Sequence, residues 1–338
     1  MLNSLNNVQN KVVMVTGGAG YVGSILLRRL LQIGYKVVCV DFLRYGGNSL
    51  LDVWGQPAFV FEKVDITDYN AIDNLFDRYN FYAVVHLAAI VGDPACKLEP
   101  NLARRTNLDA SVHLLEKSIQ SKVRRFIFAS TCSNYGKMSD TDQFVDETSP
   151  LAPVSLYAEL KVEVEDLILH KLSKSDSFCP TALRFSTVFG VSPRMRFDLT
   201  VNEFTKELAL GRELQIFGEQ FWRPYCHVND FSRAIIAVIN AVDEKVAYDV
   251  FNVGDTSQNY TKRMILDEIL KQIPDGTVKF IHKDDDPRNY RVNFDKIKNV
   301  LDFNISKTVP EAIQDILLCI KSGVISNPDD QVYYNIPV

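Results

Sequence analysis

A doubly wound parallel sheet of the α/β class, with a smaller C-terminal substrate lobe, is predicted by three observations. Short β-branched runs alternate with helical stretches through the first half of the chain, a glycine-rich turn joins the first run to an apolar helix, and the composition shifts beyond residue 186. Parallel strands need crossover helices that cover both faces of the sheet, and this alternation supplies them.

In order, strands are expected at 11–16, Lys36–Asp41, 59–64, 83–88 and 126–129, with helices at 22–33, Tyr69–Arg78 and 101–120 between them. Residues 153–173 read as a further helix and 181–185 as a sixth strand. These form a dinucleotide-binding domain over 1–186. The remainder, 187–338, is mainly the smaller substrate lobe, expected to bind a nucleotide sugar, with some exchange of chain between the two. It opens on an arginine- and proline-marked loop at 192–196 and continues with helices near 199–210, 230–242 and 262–272 and strand-like pieces at Leu214–Phe217 and Val278–Ile281. The tail, 327–338, carries Tyr333 and Tyr334, which are expected to dock on the body or on a partner subunit.

With 338 residues and 46% hydrophobic composition the chain can build a sizeable core. A net charge of −5 argues against a nucleic-acid surface, so an anionic ligand needs a local cluster of cations. No apolar run reaches the length of a membrane span, and residues 1–10 are polar and asparagine-rich, which points to a cytoplasmic protein. Six scattered cysteines read as reduced, mostly buried thiols and not as a disulfide frame or metal site; none of the five histidines has ligand-like spacing, and His86 and His227 read as core or strand-end residues.

The cofactor site is marked by Thr16-Gly17-Gly18-Ala19-Gly20-Tyr21-Val22-Gly23. Gly17 permits the tight turn, Gly20 lets the backbone approach a pyrophosphate, and Gly23 allows close packing of helix on strand, while the helix N-terminus offers N–H groups to the phosphates. Asp41 ends the second strand, where a carboxylate accepts hydrogen bonds from an adenosine ribose and repels a 2′-phosphate, so NAD is expected as the cofactor. Asp65 and Ile66, after the third strand, are placed to meet the adenine edge.

Tyr157 and Lys161 stand four apart on one helical face, so the ammonium can act on the phenol. A free tyrosine titrates near ~10 and a useful base sits near the operating pH, so about 4 kcal/mol must come from nearby positive charge. Lys161 and an oxidised nicotinamide can supply it together.

These motifs resemble the extended short-chain dehydrogenase/reductase family, the nucleotide-sugar epimerases, dehydratases and dehydrogenases. The resemblance also rests on His86-Leu87-Ala88-Ala89, 130–136, 183–190 and Trp222-Arg223-Pro224-Tyr225, and covers nearly the whole chain. It implies that Leu87, Ala88 and Ala89 line the cofactor, that Tyr21, Val22 and Lys161 also touch it, and that Thr131 hydrogen-bonds a sugar oxygen while Tyr157 takes the proton. It further implies diphosphate contacts at Asn202 and Arg223 and a homodimer joined through a helix bundle built from 101–120 and 153–173; guanidinium chemistry adds Arg288 or Arg291 to complete the clamp and Arg194 to line the sugar or phosphate, with Ser133 and Thr187 as further substrate contacts.

Departures from the family pattern narrow the chemistry. Cys132 and Ser133 stand where the 4,6-dehydratases carry an Asp-Glu pair, Cys132 is one place off the cysteine of the 3,5-epimerising branches, and Val91 and Thr187 replace a lysine and an asparagine of the UDP-galactose 4-epimerases. The pattern is similar to the group containing GDP-heptose 4-dehydrogenases. The expected activity is NAD-dependent oxidation at C4 of a nucleotide-activated sugar, GDP-heptose first, in surface (capsule) polysaccharide biosynthesis. A 4-epimerase with tightly bound NAD and a non-catalytic dinucleotide-sensing protein are the alternatives.

Overall fold

The computed structural model describes residues 10–138, 140–282 and 288–335. Readings placed on 1–9, 286–287 and 336–338 lie outside them. Seven strands form one parallel sheet: β1 (Val12–Thr16), β2 (Lys36–Asp41), β3 (Phe59–Lys63), β4 (Phe81–His86), β5 (Arg125–Thr131), β6 (Cys179–Phe185) and, much later in the chain, β10 (Asp249–Val253). Their order across the sheet is β10-β6-β5-β4-β1-β2-β3. The sequence turns outward in both directions from β1 and β4, and that reversal opens a crevice beyond the carboxyl ends of the strands.

Strand side chains alternate between two cores. Val13 and Val15 join Val37, Cys39 and Val85 on one face, while Met14 joins Val38, Val40 and Val84 on the other. The first face is covered by α1 (Tyr21–Ile33), whose Leu26, Leu27 and Leu30 are fully buried. Each such leucine contributes about 1.5–3 kcal/mol on burial. The second face is covered by α2 (Tyr69–Arg78), capped by Asp68 on the Ala71 N–H, and by the helices of the 93–120 and 156–171 segments.

Those segments are less regular than their periodicity suggests. Helix α3 (Asp93–Leu98), which sequence reading does not expect, is followed by α4 (Pro100–Arg104), a π turn at Arg105–Asp109 and α5 (Ala110–Gln120), where sequence reading expects one helix over 101–120. The irregularity has a polar cause: the buried Asn107 side chain both accepts from Ile90 N, at 2.8 Å, and donates to Ile90 O, at 2.9 Å. Likewise α6 (Leu156–Asp166) starts at the Ser155 cap and ends in a π turn at Leu167–Lys171.

Chain beyond 186 serves two bodies. Helix α8 (Val228–Asn240) packs Phe231, Ile235 and Val238 on the first face of the large sheet, beside α1, and β10 extends its edge. A separate core gathers α7 (Thr200–Ala209), α9 (Lys262–Leu270) and α11 (Val309–Lys321), with α10 (Asp295–Leu301) returning to the sheet side. Two small sheets accompany it, β11 (Asn259–Thr261), β9 (Trp222–His227) and β7 (Thr187–Phe189), and β12 (Val278–Ile281) with β8 (Leu214–Phe217). Strands β7, β9, β10 and β11 carry no clear alternation in sequence, since they are short and mostly buried on both faces.

Candidate active site

The carboxyl ends of β1, β2, β4 and β5 and the 186–200 loop of the second lobe enclose a cleft of ≈ 830 Å³. At its floor the glycine turn approaches the neighbouring strand so closely that a Cβ at Gly17, where φ is +72°, would lie 2.8 Å from Ala88 N. A Cβ at Gly23 would overlap the Gly17 carbonyl oxygen. Helix α1 begins at Gly20 with no side-chain cap, so its leading N–H groups face the cleft as donors for an anion. Asp41 is held at the cleft wall by Ala19 N, at 3.0 Å, and Leu43 N, at 2.7 Å. Burial raises its carboxyl above the ordinary range, and the two backbone bonds and the Arg194 charge oppose that rise.

Thr131, Tyr157 and Lys161 line the same cleft as Gly17, Gly20, Tyr21, Val22, Gly23 and Asp41. The cleft also takes in Asp65, Ile66, Leu87, Ala88 and Ala89. Thr131 ends β5 and accepts from Ser133 N at 3.1 Å. Lys161 is buried, and its ammonium lies 4.6 Å from the centre of the Phe128 ring and 5.9 Å from that of Tyr157. No carboxylate among the described residues pairs with it. Burial therefore holds it down at about 8. The Tyr157 phenol is pushed the other way, above its usual value, first by burial and then by the thiol of Cys96 and the carboxylate of Asp93.

The threonine loop is fixed from behind by a buried polar network. Arg184 Nε donates to Glu165 at 3.0 Å and Arg184 Nη1 to the Tyr135 hydroxyl at 2.9 Å, while Ser130 and Asn134 donate to the other Glu165 oxygen. Tyr135 in turn donates to Asn252 on β10 at 2.8 Å. Cys132 is enclosed, donates to the Arg184 carbonyl, and has its thiol pushed far up by burial. His86 bonds Thr16 and Ser111 in the core, and burial with the nearby Lys161 charge keeps it neutral, at about 3.

On the substrate side Ser133, Thr187, Arg194 and Arg288 line the cleft. Three other expected contacts do not. Asn202 is fully buried as a brace between lobes: it accepts from Gly190 N and donates to the Tyr21 hydroxyl and the Arg196 carbonyl. Arg291 is sandwiched between Phe144 and Trp222, at 4.1 and 4.6 Å, and donates to Thr141 O. Arg223 turns to the Trp222 carbonyl and the Tyr290 ring. Their guanidinium and amide groups read as anion ligands in sequence; in the structure each is held by protein partners and is itself absent from the cleft lining.

Asp93 is a cleft residue that sequence reading missed. It follows Gly92, where φ is +91°, accepts from Ser155 at 2.6 Å, and pairs with Arg288 at 2.7 Å. The only sequence signal is an acidic residue followed by proline, an ordinary helix start.

The residues present fit a dinucleotide: a glycine cradle that Cβ atoms would fill, an uncapped helix start, a carboxylate at the end of β2 and, among the described residues, a buried cation without an anion. The family described as NAD dependent epimerase/dehydratase matches residues 13–254. An uncharacterized 37.6 kDa protein of Escherichia coli O111:H- is 31% identical over 72% of this chain and 78% of its own. The human UDP-glucose 4-epimerase is 29% identical over 72% of this chain and 76% of its own. In three dimensions the chain is similar to the UDP-glucose 4-epimerase of Thermotoga maritima, solved with UDP-glucose, with a TM-score of 0.80, 26% identity, and coverage of 93% of this chain and 99% of that one. The chain therefore belongs to the NAD dependent epimerase/dehydratase family, and NAD is its cofactor.

Proposed function

We propose that the protein oxidises C4 of a nucleotide-activated sugar, with GDP-heptose the substrate of first choice, in the making of a surface polysaccharide. The observation that carries this reading is the convergence of Thr131, Tyr157 and Lys161 on the cleft that holds the glycine turn and Asp41. Bound NAD supplies the hydride acceptor and a positive charge beside the phenol. Tyr157 takes the C4 hydroxyl proton, Thr131 holds and orients that oxygen, and Lys161 stabilises the phenolate that must form against burial. Arg288, which lines the cleft, is the candidate for the sugar nucleotide's diphosphate, being held meanwhile by Asp93.

Elimination of water beyond C4 finds little support, because it requires an acid and a base next to Thr131. Cys132 there is an enclosed, neutral thiol, and Ser133 offers a plain hydroxyl, too weak an acid and base for that step near neutral pH. A 4-epimerase is the second reading, favoured by the likeness to the two 4-epimerases; it uses the same three residues and returns the hydride to the other face of the ketone. A non-catalytic dinucleotide sensor would make no use of the three aligned groups. Incubation with a panel of sugar nucleotides distinguishes these. Net reduced cofactor or a released 4-ketone supports the proposal, a C4 stereoisomer without net redox change replaces it with epimerisation, and no turnover of any sugar nucleotide by NAD-loaded protein overturns both.

A further inference from the structure

Of the arginines that line the cleft, Arg194 has the fewest partners among the described residues. Its side chain is 6% exposed, and its Nε is buried with no hydrogen-bond partner among the described residues. Among the described residues its one hydrogen bond is a long one, 3.4 Å from Nη2 to the Tyr334 carbonyl. The guanidinium lies over the Tyr45 ring at 4.4 Å, and among the described residues no carboxylate forms an ion pair with it. Arg196, two residues on, is by contrast satisfied by Asp198 through two bonds of 2.9 and 2.8 Å. A buried guanidinium left unpaired costs several kcal/mol, so such a group is retained where an anion arrives to meet it.

Its neighbours say which anion. Arg194 belongs to the second lobe, yet its charge acts on Asp41 at the end of β2 and on Tyr21, the first residue of α1. Tyr45, on which it stacks, follows Asp41 by four residues. Arg196 acts on Tyr21 as well, and its charge also reaches Tyr157. The loop that carries Arg194 is tied to the start of α1 two residues earlier, where Ser192 donates to the Tyr21 carbonyl at 2.7 Å, so Arg194 stands beside the uncapped end of α1, whose backbone N–H groups can meet a dinucleotide's phosphates.

The end of the described chain lies across this position. Tyr333 O accepts from Phe197 N at 3.0 Å, Tyr334 accepts from Lys206 at 2.7 Å, Tyr45 donates to Asn335 O at 3.2 Å, and Asn335 N donates to Asp198 at 3.2 Å. Tyr334 and Asn335 themselves line the cleft, so the segment bridges the first-lobe loop at Tyr45 and the second-lobe loop at 194–198 above it.

We infer that Arg194 is a ligand of the cofactor's pyrophosphate contributed by the second lobe, and that residues 331–335 close over this contact so that the dinucleotide is released slowly. This assigns Arg194 to the cofactor and not to the sugar nucleotide. It rests on NAD as cofactor and not on the C4 reaction, so failure of that reaction leaves the binding test intact.

The test compares Arg194→Met and Arg194→Lys with the wild-type protein stripped of nucleotide, by calorimetric titration with NAD, ADP and adenosine. Loss of charge-assisted bonds to a phosphate predicts binding weakened about ten- to a hundred-fold for NAD and ADP in Arg194→Met, a smaller loss in Arg194→Lys, and adenosine unchanged within about three-fold. Equal losses for ADP and adenosine, or unchanged NAD binding together with weakened GDP or UDP binding to NAD-saturated protein, overturn the assignment. Release of NADH, followed by its fluorescence after mixing with excess NAD, reads the cover. Removal of residues from 331 onward is expected to speed release at least ten-fold, and Tyr45→Phe, which keeps the ring and removes the hydroxyl that bonds Asn335 and Arg44, by about two- to five-fold. Unchanged release in a folded Tyr45→Phe protein and in the shortened chain overturns the cover.

Discussion

The Lys161 ammonium lies 4.6 Å from the centre of the Phe128 ring and faces no carboxylate. An aromatic face supplies only about 0.5–2 kcal/mol to a cation, which does not offset full desolvation. Lys161 is therefore a charge stored at a cost in the cofactor-free protein.

Replacing it with methionine is expected to stabilise that protein. Burial lowers the Lys161 pKa to about 8 from 10.5, which corresponds to roughly 3 kcal/mol of penalty at neutral pH. Between about pH 8 and 10.5 the unfolded chain binds more protons than the folded one, so wild-type stability rises with pH there and the advantage of Lys161→Met shrinks. Denaturant melts at pH 7 and pH 10 measure the difference. A variant less stable than wild type at pH 7 would contradict it.

Tyr157→Phe should leave NAD affinity within a few-fold of wild type and lower turnover about 10²–10⁴-fold. In Lys161→Met, residual turnover should need higher pH, because losing a positive charge disfavours the phenolate. Retained turnover in Tyr157→Phe would remove the phenol from the mechanism.

Glu165→Gln tests the network behind Thr131. The Arg184 and Glu165 side chains are 4% and 2% exposed, and disrupting such a pair on one side destabilises by about 3–5 kcal/mol. The paired replacement Arg184→Met with Glu165→Leu is expected to cost less than the sum of the two single changes. Additive losses in chemical denaturation would show that the two side chains act independently.

Acid lability is expected from His86. Its folded pKa is held at about 3, so between pH 6.5 and 3 the unfolded chain takes up a proton that the folded chain refuses, and stability falls with pH, by about 2 kcal/mol at pH 5. His227, held at about 4, acts in the same sense. Comparing the pH 7 to pH 5 slope of unfolding free energy in wild type and His86→Asn isolates the effect; equal slopes would refute it.

Much of this was legible in the chain. Gly17, Gly20 and Gly23 read directly, because only glycine tolerates the approach of Ala88 and the Gly17 carbonyl. Tyr157 and Lys161 read because a spacing of four fixes their shared face whatever surrounds them. Long-range partners did not read. The aromatic neighbours of Arg223 and Arg291, Tyr290, Phe144 and Trp222, carry no signal in sequence, and Asp93 looks like a helix start until Arg288 meets it from 195 residues away. β10 was hidden for a related reason: a five-residue edge strand owes its place to the exposed edge of β6 more than to its own pattern.

That edge strand sets an order of events during synthesis. Until residue 253 has left the ribosome, β6 presents an open row of backbone donors and acceptors, and Tyr135 lacks its anchor on Asn252. A nascent chain halted near 186 would hold most of the nucleotide platform with a sticky border, prone to pair with other chains. Expression of the first 186 residues alone is thus expected to give aggregates, whereas a chain extended through β10 closes the border with its own strand.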